Sequence, residues 1–212
     1  MNVRALCCAA SVLLVPSLVR VSAAQASATF LPVPLVRQST DYSCGAAAVA
    51  SVLYYFQRFD GAETDLFADL DTNSQEGTHP RKMAEFLAQS GLDAQFKDGM
   101  ELADVRAALE SGAPVILDIQ AWTNDPSPSP KWEDLWEDGH YVVAVGMDDE
   151  NLYAMDPSTP AAYGYIPLEE LPRRWHDYET RYGSLEIFSH LGIVVHGVNA
   201  LQRFPAPPAR IR

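Results

Sequence analysis

The stretch Cys44-Gly-Ala-Ala-Ala-Val-Ala-Ser-Val-Leu-Tyr-Tyr-Phe56 decides the fold, because it has helical length and almost no polar face. Apolar side chains continue on nearly every side as far as Phe59. A helix that is apolar all round lies inside a protein, so we predict a buried central helix here. Asp41 and Ser43, just before it, are residue types that cap helix N-termini.

The chain that follows this segment favours helices first. We predict a short acidic helix over residues 64–70 and an amphipathic helix that Thr78 caps and that has Pro80 in its first turn. A short strand over residues 93–96 and a third helix over residues 101–110 complete this half.

The second half favours strands. Its predicted elements are a buried strand at 114–120, a hairpin of Tyr141–Met147 with Leu152–Met155, a strand at 164–166, a helix at 167–176, and a strand at 191–195 that closes the sheet. Helices that mostly precede strands are typical of an α+β domain. We therefore predict one α+β domain over residues 29–198, with the buried helix packed on an antiparallel sheet.

The two ends of the chain carry different signals. Residues 1–24 combine a basic start, an apolar run from Ala5 to Val19 and a small-residue segment, which predicts a cleavable signal peptide. Residues 199–212 are rich in proline and predict a flexible tail. We expect a periplasmic or secreted bacterial protein with no membrane span once the signal is removed.

The charge balance limits the partners. The 212 residues hold 15 Lys and Arg against 28 Asp and Glu, a formal net charge of −13. So acidic a chain is a poor match for nucleic acid or anionic membranes. We expect a monomer that acts on a peptide or protein substrate, without a cofactor.

Cys44 is the one cysteine that remains after removal of the predicted signal, since Cys7 and Cys8 lie inside it. A single cysteine cannot form a disulfide within its own chain. A position at a helix N-terminus favours a reactive thiolate, and the alternative is a small buried apolar residue. The histidines show no metal-ligand spacing around Cys44, so we predict no metal site.

The partners of a thiolate nucleophile are also present. His140 begins one strand of the predicted hairpin, and Asp156 ends the other strand 16 positions later. The start of one hairpin strand lies beside the end of its partner, so Asp156 can orient the imidazole. Gln38, six positions before Cys44, can present its side-chain amide to an oxyanion, with the backbone N–H of Cys44 as second donor.

These motifs carry a resemblance to a known family. Gln38, the run Tyr42-Ser-Cys-Gly-Ala-Ala47, the run Gly139-His-Tyr-Val-Val143 and Asp156-Pro157 together resemble the bacteriocin-processing peptidases, papain-like enzymes that cut after double-glycine leaders. The resemblance implies a papain-like fold. It also implies that Cys44 is the nucleophile, His140 the base, Asp156 its orienting partner and Gln38 the oxyanion donor.

The chain departs from that family in two ways. It shows neither the membrane part nor the ATP-binding part of the exporters that carry most such peptidases, and it has its own export signal. The loop 122–138, with Trp122, Trp132 and Trp136, looks like an addition at the rim of the site. Its tryptophans either fill the core or face the substrate, and we predict Trp122, Trp136 and Gly139 to bind substrate.

Three functions remain open on the sequence alone. The first is an exported cysteine peptidase that hydrolyses a peptide bond, after a double-glycine-type site if the resemblance extends to substrate. The second is acyl transfer by a transglutaminase-like thiol enzyme, and the third is a catalytically silent module that binds a partner peptide. The full set of four residues, in order, favours the peptidase.

Overall fold

A computed structural model describes residues 30–127, 130–159, 162–181 and 183–203. The predicted signal peptide and most of the predicted tail lie outside these residues. The start of the tail is described, and there Leu201 donates its N–H to the Tyr55 carbonyl at 2.9 Å. Within the described ranges, no helix has both the length and the apolar character that a bilayer crossing requires.

The described part of the chain forms four helices, of which the first three pack on the sheet. They are α1 (Cys44–Tyr55), α2 (Pro80–Gln89), α3 (Leu102–Glu110) and α4 (Leu171–Arg174), with 3₁₀ turns at Glu63–Leu66 and Trp132–Asp134. Nearly every residue of α1 is buried, as its apolar sequence predicts. The predicted cap of α2 is wrong by one residue, because His79, not Thr78, accepts a hydrogen bond from the Arg81 N–H.

The main sheet has six antiparallel strands in the order β1-β8-β2-β3-β4-β5. Their bounds are β1 Asp93–Lys97, β2 Val115–Gln120, β3 Gly139–Met147, β4 Asn151–Met155, β5 Gly164–Pro167 and β8 Gly192–His196. The helices and the purely antiparallel pairing confirm the α+β class. The last strand, however, lies inside the sheet between β1 and β2 and not at its edge.

The helix predicted over residues 167–176 is much shorter in the structure, because residues 168–170 form a turn and a second hairpin begins at His176. Only α4 is helical there, and β6 (His176–Arg181) then pairs with β7 (Ser184–Ser189). The helix ends where Trp175 is completely buried and its indole N–H donates to the Leu191 carbonyl at 2.7 Å. Pairing with β7 thus overrides the helical preference of the local sequence.

Candidate active site

Cys44 is the first residue of α1, and Ser43 is its N-cap. The thiol is partly exposed, so it lies within reach of a substrate and of the unsatisfied N–H groups of the first helical turn. Gly45 lets α2 approach this turn, since a Cβ here would lie 2.7 Å from the Thr78 Cβ. The close packing fixes the position of the thiol.

His140 is the second residue of β3, and its imidazole is almost fully buried. Its Nε2 lies 2.8 Å from Oδ1 of Asp156, the residue directly after β4. The Ser158 N–H and hydroxyl donate to the same oxygen at 2.8 and 2.7 Å, and the Thr159 hydroxyl donates to the other at 3.0 Å. Cys44 lies close enough to this imidazole to favour its protonated form.

His140 and Asp156 stabilise each other's charged forms. Burial of the imidazole opposes its protonation, but the hydrogen bond with Asp156 and the interaction with nearby Cys44 outweigh burial and raise the pKa of His140 from 6.5 to about 9. Burial would raise the pKa of Asp156, yet the hydrogen bond and charge of His140 hold that pKa well below its usual range. At neutral pH the arrangement therefore favours an imidazolium beside a carboxylate.

Gln38 lies next to the turn that follows β4. Its N–H donates to the Pro157 carbonyl at 3.0 Å, and its side-chain Nε2 donates to the Thr40 carbonyl at 2.7 Å. Its Oε1 is buried without a hydrogen-bond partner among the described residues. One amide N–H is therefore used to orient the side chain, and the role of Gln38 as oxyanion donor stays a prediction.

The three tryptophans of the 122–138 loop divide between the two predicted roles. Trp132 is buried under the Arg174 guanidinium, 3.9 Å from the ring centroid, and so fills the core. Trp122 is 48% exposed with its ring 4.8 Å from that of His140. Trp136 packs at 4.4 Å on His176. Substrate contact by Trp122 and Trp136 stays a prediction.

A cleft of about 370 Å³ opens beside the thiol. It is lined by Cys44, by the predicted substrate residues Trp136 and Gly139, and by five carboxylates: Asp41, Glu76, Glu137, Asp177 and Glu179. Only a glycine fits at position 139, because a Cβ there would overlap the Asp177 carboxylate. A larger cavity of about 710 Å³, beside Phe30 and α3, contains none of the four predicted catalytic residues.

Three acidic residues, two in the cleft wall and one buried behind it, escaped the sequence analysis. Asp118 of β2 and Asp177 and Glu179 of β6 bring their carboxylate oxygens within 4.8 Å of one another, a donor set that suits a hard cation. Burial raises the pKa of Asp118 well above its usual range, that of Asp177 to about 6 and that of Glu179 to about 8. The sequence feature that could have revealed this group is Asp118, a charged residue inside the otherwise apolar run 115–119.

Comparison with known proteins identifies the family of this chain. Residues 30–184 match the sequence profile of the Peptidase_C39 like family, and the chain belongs to that family. This confirms the resemblance found in the sequence motifs. No curated protein sequence matches the chain.

Solved structures similar to this chain show the same fold. A putative C39-like peptidase from Bacillus anthracis superposes with a TM-score of 0.60 at 16% identity, over 82% of this chain and 99% of the other. The peptidase domain of Streptococcus ComA, a bi-functional ABC transporter involved in a quorum sensing pathway, gives 0.56 at 18% identity, over 77% and 97%. A double glycine motif protease from an AMS/PCAT transporter, solved with its leader peptide, gives 0.55 at 20% identity, over 78% and 92%.

Proposed function

We propose that this protein is a cysteine peptidase in which Cys44, His140 and Asp156 carry the chemistry. The observation that carries the proposal is the 2.8 Å contact between His140 and Asp156, with Cys44 at the start of α1 close enough to the same imidazole to raise its pKa. A nucleophile, a base within hydrogen-bonding reach and a third group that orients the base are what thiol catalysis needs.

The reaction follows from the placement of these groups. The Cys44 thiolate attacks the scissile carbonyl, while the free amide N–H of Gln38 and the backbone N–H of Cys44 stabilise the oxyanion. The His140 imidazolium then donates its proton to the leaving amine, and the C–N bond breaks. A water molecule, deprotonated by the now neutral His140, attacks the thioester and releases the acid and the free thiol.

The proposed cleavage site follows a double-glycine-type sequence. Support comes from family membership and from the similar fold of the double glycine motif protease. Because that protease is only 20% identical, a direct comparison is needed. The test is cleavage of two peptides that differ only in having Gly-Gly or Ala-Ala before the scissile bond, with mass spectrometry of the products. Equal cleavage of both peptides would remove the double-glycine proposal and leave the peptidase.

The thiol chemistry is tested without a substrate. We expect iodoacetamide to modify Cys44 rapidly at pH 6 in the wild-type protein and slowly in His140→Ala, with peptide mapping to separate Cys44 from Cys7 and Cys8. At pH 9 the difference should narrow, because a cysteine thiol with the ordinary pKa of about 8.5 is then mostly thiolate even without an imidazolium partner. The same slow reaction at pH 6 in both proteins would refute the ion pair.

Incubation of peptides with the wild-type protein and with Cys44→Ala decides between the three functions. Hydrolysis products that are lost in Cys44→Ala support the peptidase, and amide products that form only with an added amine support acyl transfer. A reactive thiol without either product, with peptide binding retained in Cys44→Ala, supports the binding module.

We also propose that the protein is exported, as the basic and apolar features of residues 1–24 indicate. Protein recovered from the periplasm or medium of a bacterial host should then begin at or near Gln25, as N-terminal sequencing would show. An intact Met1 in protein confined to the cytoplasm would contradict export.

A further inference from the structure

The wall of the cleft beside Cys44 carries carboxylates, and a further carboxylate is buried behind them. Asp177 and Glu179 alternate along β6 and so face the same side of the hairpin. Asp118 lies behind them on β2, opposite Tyr141 in the strand register. The three carboxylates thus form an acidic cluster, defined here as Asp118, Asp177 and Glu179, that reaches from the cleft into the interior.

The acidic cluster has too few donors for its charge. The Tyr141 hydroxyl has one hydrogen and donates it to Glu179 at 2.6 Å. Asp177 accepts from the Gln120 amide and from the Tyr178 N–H. Asp118 is 1% exposed, and neither of its oxygens has a donor among the described residues. Buried carboxylates without donors or a counter-charge are costly, so the cluster is suited to receive a cation.

The residues around the acidic cluster indicate what kind of cation it would bind. Among the described residues that line the cleft there are five carboxylates and neither lysine nor arginine. The volume of about 370 Å³ is that of an open groove with room for an extended side chain, far more than a bare ion needs. The nucleophile lines the same cleft, so a bound group here lies close to the scissile bond.

We propose that the acidic cluster binds the cationic side chain of a lysine or arginine in the peptide substrate. The proposal rests on the proposed function only in that the bound peptide is the one that Cys44 attacks. Two carboxylate oxygens no more than 4.8 Å apart can both contact one nitrogen at about 2.8 Å. Asp177 and Glu179 contact the cation at the cleft, and Asp118 strengthens the field from behind.

Proton release provides a physical signature of this binding. Burial raises the pKa of Asp177 to about 6 and that of Glu179 to about 8, so the cluster holds protons near neutral pH. A bound cation favours the carboxylates and expels protons. Peptide affinity should therefore rise between pH 6 and pH 8.5, and calorimetry in buffers of different ionisation enthalpy should detect the released protons.

The test uses peptides that differ by one side chain. Lysine is compared with norleucine at each position around the scissile bond, in cleavage by the wild-type protein and in binding to Cys44→Ala. We expect at least about a tenfold preference for lysine at one position. The preference should disappear in D177N/E179Q and in the single variant E179Q, which keep the hydrogen-bond acceptors. It should persist in E133Q/D134N, which makes the same charge change on an exposed turn outside the cleft.

The outcomes separate this proposal from the proposed function. Cleavage without any preference for lysine overturns the cation subsite and leaves the peptidase. Absence of cleavage overturns the peptidase, and the Cys44→Ala binding series still decides the subsite. Tight binding of Ca²⁺ or Mg²⁺ that needs the acidic cluster, with lysine and norleucine peptides bound equally, would make the cluster a metal site and overturn the proposal.

Discussion

Replacement of Asp156 by asparagine should destabilise the protein in a pH-dependent way. The contact at 2.8 Å with His140 is the largest of the favourable contributions that raise the pKa of His140 from 6.5 to about 9. A shift of that size corresponds to about 3 kcal/mol in favour of the imidazolium in the folded state. His140 is 2% exposed, so solvent screens this interaction little.

The direction of the pH dependence follows from the raised pKa. The stabilisation is complete below about pH 6.5 and is lost as the pH rises through about 9. Cys44 supplies part of the shift, so Asp156→Asn should cost about 2 kcal/mol at pH 6. At pH 9.5 only a pH-independent cost should remain, because a neutral imidazole gains little from a carboxylate, whereas asparagine can replace just one of the two oxygens that accept from Ser158 and Thr159.

Urea unfolding followed by tryptophan fluorescence at pH 6, 7.5 and 9.5 measures this difference. Asp134→Asn is the matched control, since Asp134 is exposed on the Trp132–Asp134 turn, and its effect should not change with pH. A cost of Asp156→Asn that stays constant from pH 6 to pH 9.5 would show that His140 is neutral throughout. The ion pair, and the catalytic roles built on it, would then be refuted.

Three further changes test other parts of the site. Gln38→Ala removes the proposed oxyanion donor and should lower kcat about 100-fold with KM unchanged; steady-state kinetics in which KM rises at constant kcat would assign Gln38 to substrate binding. Gly139→Ala places a Cβ where the Asp177 carboxylate lies and should cost about 1–3 kcal/mol in urea unfolding, whereas wild-type stability would mean that β6 moves freely away. Arg174→Met removes two hydrogen bonds of 2.7 Å to the Gln120 and Ala121 carbonyls and the cation–π contact with Trp132. It should cost about 3 kcal/mol by the same assay, and a cost below about 1 kcal/mol would show that water replaces the guanidinium.

The elements that the sequence predicts well are those with local causes. The buried helix α1 follows from its own apolar composition, and the β3–β4 hairpin follows from a short turn between two apolar runs. Hairpin geometry then brings His140 and Asp156 together without knowledge of the rest of the fold. Gln38, in contrast, is placed by a long-range contact, a backbone hydrogen bond to Pro157 beside Asp156.

The parts that the sequence did not predict depend on distant contacts. β8 lies between β1 and β2 because it pairs with both, and no feature of residues 191–195 alone specifies that position. Residues 167–176 have helical composition, yet the burial of Trp175 and the pairing of β6 with β7 end the helix after Arg174. The acidic cluster was missed for this reason, because two of its members lie on β6.

The start of β3 joins the catalytic pair to the acidic cluster. Neighbouring residues of a strand point to opposite faces, so His140 meets Asp156 on one face while Tyr141 meets Asp118 and Glu179 on the other. Cys44 lies close to both sides, since it contributes to the raised pKa of His140 and, as a thiolate, to that of Asp118. In the proposed thiolate form, Cys44 would therefore also be exposed to the field of the acidic cluster. A cation bound there would neutralise negative charge close to the thiolate at the moment when the substrate is in place, which couples recognition of a basic residue to activation of Cys44.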